Sequence, residues 1–257
     1  MRFVLFVMIF AALIMSPSAP AAAITNGVAD GNAHPEVGAL VAKKAHPDGS
    51  SAYCTGTLIS PTVFLTAAHC GEPGQKTVRV TFEDRYRPGS TYYTGRYVPD
   101  PRFKDESALH DMAVVLFDDP IPGIKPARLP SKGLLDRLEA DGELQKSSFT
   151  PVGYGSLDPT RKKRETRFNY PDTRYQATIS FKNLSRRWLD LSLQSEGDGS
   201  TCFGDSGGPN FLGGSESHLL VATSISGADD ACTGTNYDYR LDTPSARAFL
   251  GDYVTLP

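Results

Sequence analysis

Gly204-Asp205-Ser206-Gly207-Gly208-Pro209 places one serine among three glycines, and the absence of side-chain bulk around it lets backbone N–H groups approach a carbonyl that the serine could attack. A serine hydroxyl is inert near neutral pH unless a base takes its proton, and the oxyanion that forms needs donors already aimed at it. Ser206 is the candidate nucleophile, and the N–H groups of Gly204 and Ser206 are the candidate donors.

Upstream, Leu65-Thr66-Ala67-Ala68-His69-Cys70 ends an apolar run on a histidine beside a cysteine that can anchor it. His69 is the candidate base. A carboxylate that orients the imidazole completes such a set. Asp111 opens Asp111-Met112-Ala113-Val114-Val115-Leu116-Phe117, an acid at the mouth of a buried strand. Gly204-x-Ser206-x-Gly208 also satisfies the nucleophile elbow of α/β hydrolases. That fold needs its histidine after the serine, and the only later one, His218, is followed directly by an apolar strand pattern; chain order argues against an esterase.

The order His69, Asp111, Ser206 and the residues around them resemble the chymotrypsin/trypsin family of serine endopeptidases. The resemblance runs from Ile24 almost to the end of the chain. It takes in Cys54-Thr55-Gly56-Thr57-Leu58-Ile59, the turn Gly153-Tyr154-Gly155, and Pro244 to Val254 at the position of the family's C-terminal helix. It implies an all-β fold of two antiparallel six-stranded β-barrels with a C-terminal helix, with His69, Asp111 and Ser206 catalytic in the crevice between them. It also implies an activation ion pair between a freed Ile24 amine and Asp205. Disulfides Cys54–Cys70 and Cys202–Cys232 follow from the same pattern, each contributing roughly 3 kcal/mol by loop closure. The family's common third bridge is missing, so a trimmed loop is expected over residues 182–199.

The resemblance also implies a specificity pocket. Ser200 falls at the floor of the S1 pocket, with Ser224, Ile225 and Ser226 on one wall and Thr235 across from them. A neutral floor disfavours an unpaired cation, so an apolar P1 residue is expected, as in chymotrypsins or elastases. Asp229, Asp230 and Asp198 offer the alternative of a basic P1 if any of them reaches the pocket. A non-catalytic, protease-like binding protein is the other alternative; such proteins usually lose a member of the triad, and all three residues are present.

Residues 3–15 are almost wholly apolar and lead into the small residues Ser16 to Ala23. This reads as a signal peptide over 1–23, cleaved after Ala23. Residues 24–257 then form one secreted, extracellular peptidase domain, with the boundary between barrels near 120–145. No Arg or Lys precedes Ile24, so signal peptidase itself would generate the active terminus. The formal charge of −3 gives no reason to expect nucleic acid, and no membrane attachment is expected after signal removal. The four cysteines include no C-x-x-C pair, and Glu83 and Asp84 do not match a calcium loop; no cofactor or metal is expected. Partners are protein or peptide substrates and protein protease inhibitors, and the chain reads as a monomer.

Strand patterns occur at residues 37–41, 53–59, 63–67, 78–82 and 113–117, and then at 175–181, 189–193, 219–225 and 237–241. Arg161-Lys162-Lys163-Arg164, with Arg167 and Arg174, reads as a solvated basic loop or an exosite for acidic partners. Asn183-Leu184-Ser185 matches a glycosylation acceptor.

Overall fold

Val37-Gly38-Ala39-Leu40-Val41 is buried at every position, as a strand is when both of its faces are covered. The computed structural model describes residues 24–162 and 165–257, with backbone alone for 158–162 and 165–167. After the two-residue strand β1 (Val28–Ala29) come β2 (Val37–Val41), β3 (Ala52–Ser60), β4 (Val63–Thr66), β5 (Thr77–Thr81), β6 (Tyr93–Pro99) and β7 (Ala113–Leu116). β2 to β7 form a closed antiparallel barrel in the order β2-β3-β4-β7-β6-β5, and the register Leu40↔Val80 joins its ends.

The second half contains β8 (Ser148–Gly153), β9 (Leu157–Lys162), β10 (Glu165–Asn169), β11 (Tyr175–Gln176) and β12 (Ile179–Leu184). It continues with β13 (Trp188–Ser192), β14 (Pro209–Leu212), β15 (Leu220–Gly227) and β16 (Asn236–Arg240). Here the closed order is β8-β12-β13-β16-β15-β14, sealed by β14 on β8. β11 and β1 extend β8 outward, so residues just after Ile24 are stitched to the second barrel. Both barrels are six-stranded, as the family resemblance implies.

Each half has its own apolar centre. Leu40, Leu58, Phe64, Leu65 and Val114 belong to the larger cluster, which spreads from the first barrel into the junction. Phe149, Ile179, Leu189, Leu191 and Val221 fill the second. Each such side chain removed from water contributes roughly 1.5–3 kcal/mol.

The expected strand over 175–181 is two strands. The Ala177 N–H turns to the Pro151 carbonyl and the Thr178 carbonyl accepts from Gly199, so both leave the ladder. Helix α1 (Leu134–Ala140) lies between β7 and β8 and buries Leu135 in the second centre. Helix α2 (Pro244–Leu250) is shorter than residues 244–254; the Thr243 hydroxyl accepts the Ala246 N–H at its start, and Pro244 occupies the first turn, where its missing donor costs nothing. Arg174 is no solvated charge. Its side chain is wholly buried, Nε donates to Asp30 Oδ2 at 2.7 Å, and the guanidinium also reaches the carbonyls of Gly31, Val37 and Phe82.

Candidate active site

His69 sits in a single 3₁₀ turn, Ala68–Cys70, directly after β4. Three contacts hold that turn: the Cys54–Cys70 disulfide to β3, and the Tyr97 hydroxyl donating to the carbonyls of Ala67 at 2.9 Å and Ala68 at 2.8 Å. Asp111 precedes β7 and is almost wholly buried. Its Oδ2 lies 2.6 Å from His69 Nδ1, and its Oδ1 accepts the His69 backbone N–H at 3.0 Å. A carboxylate bound at both points fixes the ring's rotation and makes Nδ1 the protonated nitrogen, so Nε2 is left to accept a proton.

Ser206 lies on the loop between Cys202 and β14. Asp205 N–H donates to Cys202 O at 3.0 Å and Gly208 N–H to Asp205 O at 2.8 Å, which coils the loop tightly. Gly207 has φ 77°, and a Cβ there would collide with Thr66 and Ala67. Thr55 of β3 hydrogen-bonds this loop to the first barrel at two points. Its N–H donates to Ser206 O at 2.9 Å, and its hydroxyl donates to Gly204 O at 2.9 Å. Among the described residues, the N–H groups of Gly204 and Ser206 donate to nothing, and the Ser206 hydroxyl has no hydrogen-bond partner. Two free donors therefore flank an unengaged hydroxyl, in a cavity that His69 also lines.

Asp205 is buried behind the loop. Oδ1 accepts the Gly155 N–H at 2.8 Å and Oδ2 the Cys202 N–H at 2.9 Å. Burial pushes its carboxyl up to about 7, against the lowering effect of those two donors. A Cβ on Gly155 would meet the carboxylate, which explains a glycine at that turn. Ile24 is fully buried, and the Thr25 N–H after it donates to Ser200 O at 3.0 Å, two residues before Cys202.

Two cavities flank Ser206. One of about 390 Å³ is walled by Thr201, Ser224, Ile225, Ser226, Asp229 and Asp230, with Cys202–Cys232 bridging its rim. Ser200 and Thr235 do not line it. Ser200 is sealed beneath, its hydroxyl donating to Asn236 Oδ1 at 2.7 Å, and Thr235 takes the Lys182 ammonium at 2.5 Å. Asp198 is also absent from the lining, since its Oδ2 accepts the N–H groups of Gln194 and Ser195. Asp229 Oδ1 is engaged by the N–H groups of Ala231 and Thr233. The other cavity, of about 590 Å³, is walled by Ala52, Tyr53, the Cys54–Cys70 bridge, Tyr170 and Phe203.

Sequence reasoning missed the roles of Thr55, Phe203 and Tyr170, which no local pattern announces. It also missed Asp238 on β16, which pairs in register with Ser224. That carboxyl is buried beside the Ser224 hydroxyl and the Asn210 amide, and burial holds it well above the usual carboxylate range.

A family model described as Trypsin matches residues 28–249. Human granzyme M is 31% identical over 188 residues, covering 70% of each chain. Kallikrein-15 of Saguinus oedipus is 28% identical over 198 residues, or 71% of this chain and 73% of its own. A trypsin of Phaedon cochleariae is 24% identical over 170 residues, with 63% and 65% covered. With that match over most of its length, two closed β-barrels and the serine loop between them, the chain belongs to the trypsin family of serine endopeptidases.

Proposed function

We propose that this endopeptidase cleaves peptide bonds through Ser206, His69 and Asp111. The observation that carries the reading is the pair of unpartnered N–H groups on Gly204 and Ser206 beside a free hydroxyl, with His69 clamped on Asp111. The Ser206 oxygen attacks the scissile carbonyl while its proton passes to His69 Nε2. Asp111 stabilises the imidazolium without taking the proton. The oxyanion collects the two N–H donors. Collapse breaks the C–N bond, the proton moves from His69 to the leaving amine, and an acyl ester remains on Ser206. Water repeats the sequence and frees the acid.

In this reading residues 1–23 direct export and are removed, and the exposed Ile24 ammonium enters beside Asp205. The single peptidase domain acts outside the cell as a monomer and is open to protein inhibitors. No helix among the described residues is long and apolar enough to cross a membrane. The cavity walled by Ser224, Ile225 and Ser226 takes the P1 side chain, and an apolar one suits Ile225 and the sealed Ser200. A basic P1 is the second reading, favoured by Asp230 on the same lining.

Hydrolysis of peptides differing only at P1, by processed protein and by Ser206→Ala, tests the nucleophile and the pocket. Turnover confined to the wild type and highest for Leu, Phe, Val or Ala is expected. Turnover retained by Ser206→Ala overturns the nucleophile, and a preference for Arg or Lys selects the second reading of the pocket.

A further inference from the structure

The cavity walled by Tyr53, Tyr170 and Phe203 does not end beside Ser206. It shares His46, Tyr53 and Cys70 with a second groove of about 610 Å³, which continues over the first barrel and is lined by Lys43, Lys76, Arg79 and Glu72. Lys43, Lys76 and Arg79 make no ion pair and no side-chain hydrogen bond to any described residue. Arg79 is held in place nonetheless, its guanidinium stacked 4.6 Å above the Tyr92 ring. Three uncompensated cations against one acid is a local excess of positive charge on a chain whose formal net charge is −3.

The direction of the groove matters. A peptide crosses the site through a single reacting carbonyl. If its P1 side chain occupies the cavity on the Ser224 side, the residues beyond the scissile bond must run through the cavity on the Cys54–Cys70 side. Their continuation meets the cationic groove. Unpaired ammonium and guanidinium groups select carboxylates there, and they also repel a basic segment.

We propose that the groove of Lys43, Lys76 and Arg79 binds acidic residues in the leaving segment of the substrate, beyond the residues that fill the first cavity. The inference rests on the reading of Ser206 as the nucleophile. It makes the enzyme selective for cleavage sites followed by Asp or Glu, independently of P1. Because these contacts are partly solvated, the selectivity is sensitive to salt.

The test uses internally quenched peptides with one common acyl half. Their leaving halves carry Asp and Glu, Asn and Gln, or Lys, after two neutral residues. At low ionic strength kcat/KM is expected to be roughly tenfold higher for the acidic set than for the amide set. The advantage should vanish near ~1 M NaCl, where the screening length falls to about 3 Å. Replacing the three cations together, Lys43→Gln, Lys76→Gln and Arg79→Gln, should erase it while leaving turnover of a small ester, which has no leaving peptide, unchanged. Equal cleavage of acidic and amide peptides, or an acidic preference that survives in the triple variant, overturns the proposal. If the wild type fails to hydrolyse the ester, the nucleophile assignment fails instead, and the substrate role of the groove falls with it.

Discussion

Blocking the amine of Ile24 should leave Asp205 buried without a counter-charge, and the cost can be worked from its surroundings. With residue 24 in an amide linkage, burial raises the Asp205 carboxyl from 3.8 to about 7. That is about three pH units, or about 4 kcal/mol at full ionisation. The folded state then holds its proton more tightly than the unfolded chain. Stability is fully present below pH 3.8 and is lost as pH rises through about 7, at about 1.4 kcal/mol per unit. A free Ile24 ammonium, charged throughout this window, removes the penalty by pairing with the carboxylate. The assay compares processed and N-acetylated protein by urea unfolding at pH 5 and pH 7, in a Ser206→Ala background that prevents self-digestion. Groups common to both forms cancel. The gap between them should widen by roughly 2–3 kcal/mol from pH 5 to pH 7, and Asp205→Asn should abolish the widening. A gap that stays constant across that interval would refute the pairing of Ile24 with Asp205.

Asp111→Asn should keep the fold yet lower kcat by about ten-thousandfold, because an amide at that point favours the wrong imidazole tautomer; ester hydrolysis near wild-type rates would count against the role given to Asp111. Thr55→Val removes the donor to Gly204 O and the acceptor for the Tyr154 N–H. A loss of about 1–3 kcal/mol in stability is expected, with kcat falling while KM for a small ester holds; unchanged kcat would show that Thr55 does not position the loop. Arg174→Leu leaves the buried Asp30 with His34 alone as its side-chain partner and should cost about 3–5 kcal/mol, part of which Asp30→Leu should recover in the double variant. Chemical denaturation of the three proteins checks this, and a single variant as stable as wild type would contradict the buried pairing.

What could be read in the chain was whatever is encoded by neighbours. Ser206 is marked by its flanking glycines, His69 by the apolar run and adjacent cysteine, and Asp111 by the strand it opens. The structure brings His69 and Asp111 into contact and sets Ser206 in the same cavity. Strands with unbroken apolar runs, such as Val37–Val41, were equally legible. β8 was not, since Pro151 and two hydroxyl residues disguise a strand that nonetheless seals the second barrel. Arg174 reads as solvated because its partner Asp30 is far away in sequence, and no local pattern announces a buried guanidinium. Ser200 falls in the pocket only by the family resemblance. Its exclusion depends on Asn236, brought over it only when β16 pairs with β15.

Arg174 carries a further consequence. Its guanidinium is satisfied by atoms from residues 30, 31, 37 and 82 together, and by the Tyr154 hydroxyl. These come from the leading segment, the first barrel and the turn that opens the second. A charge cannot enter a dry interior by instalments. The halves should therefore close on it in one cooperative event, with no populated species in which one barrel is docked and the leading segment is still loose. Docking of the two halves and capture of the leading segment would then be a single transition.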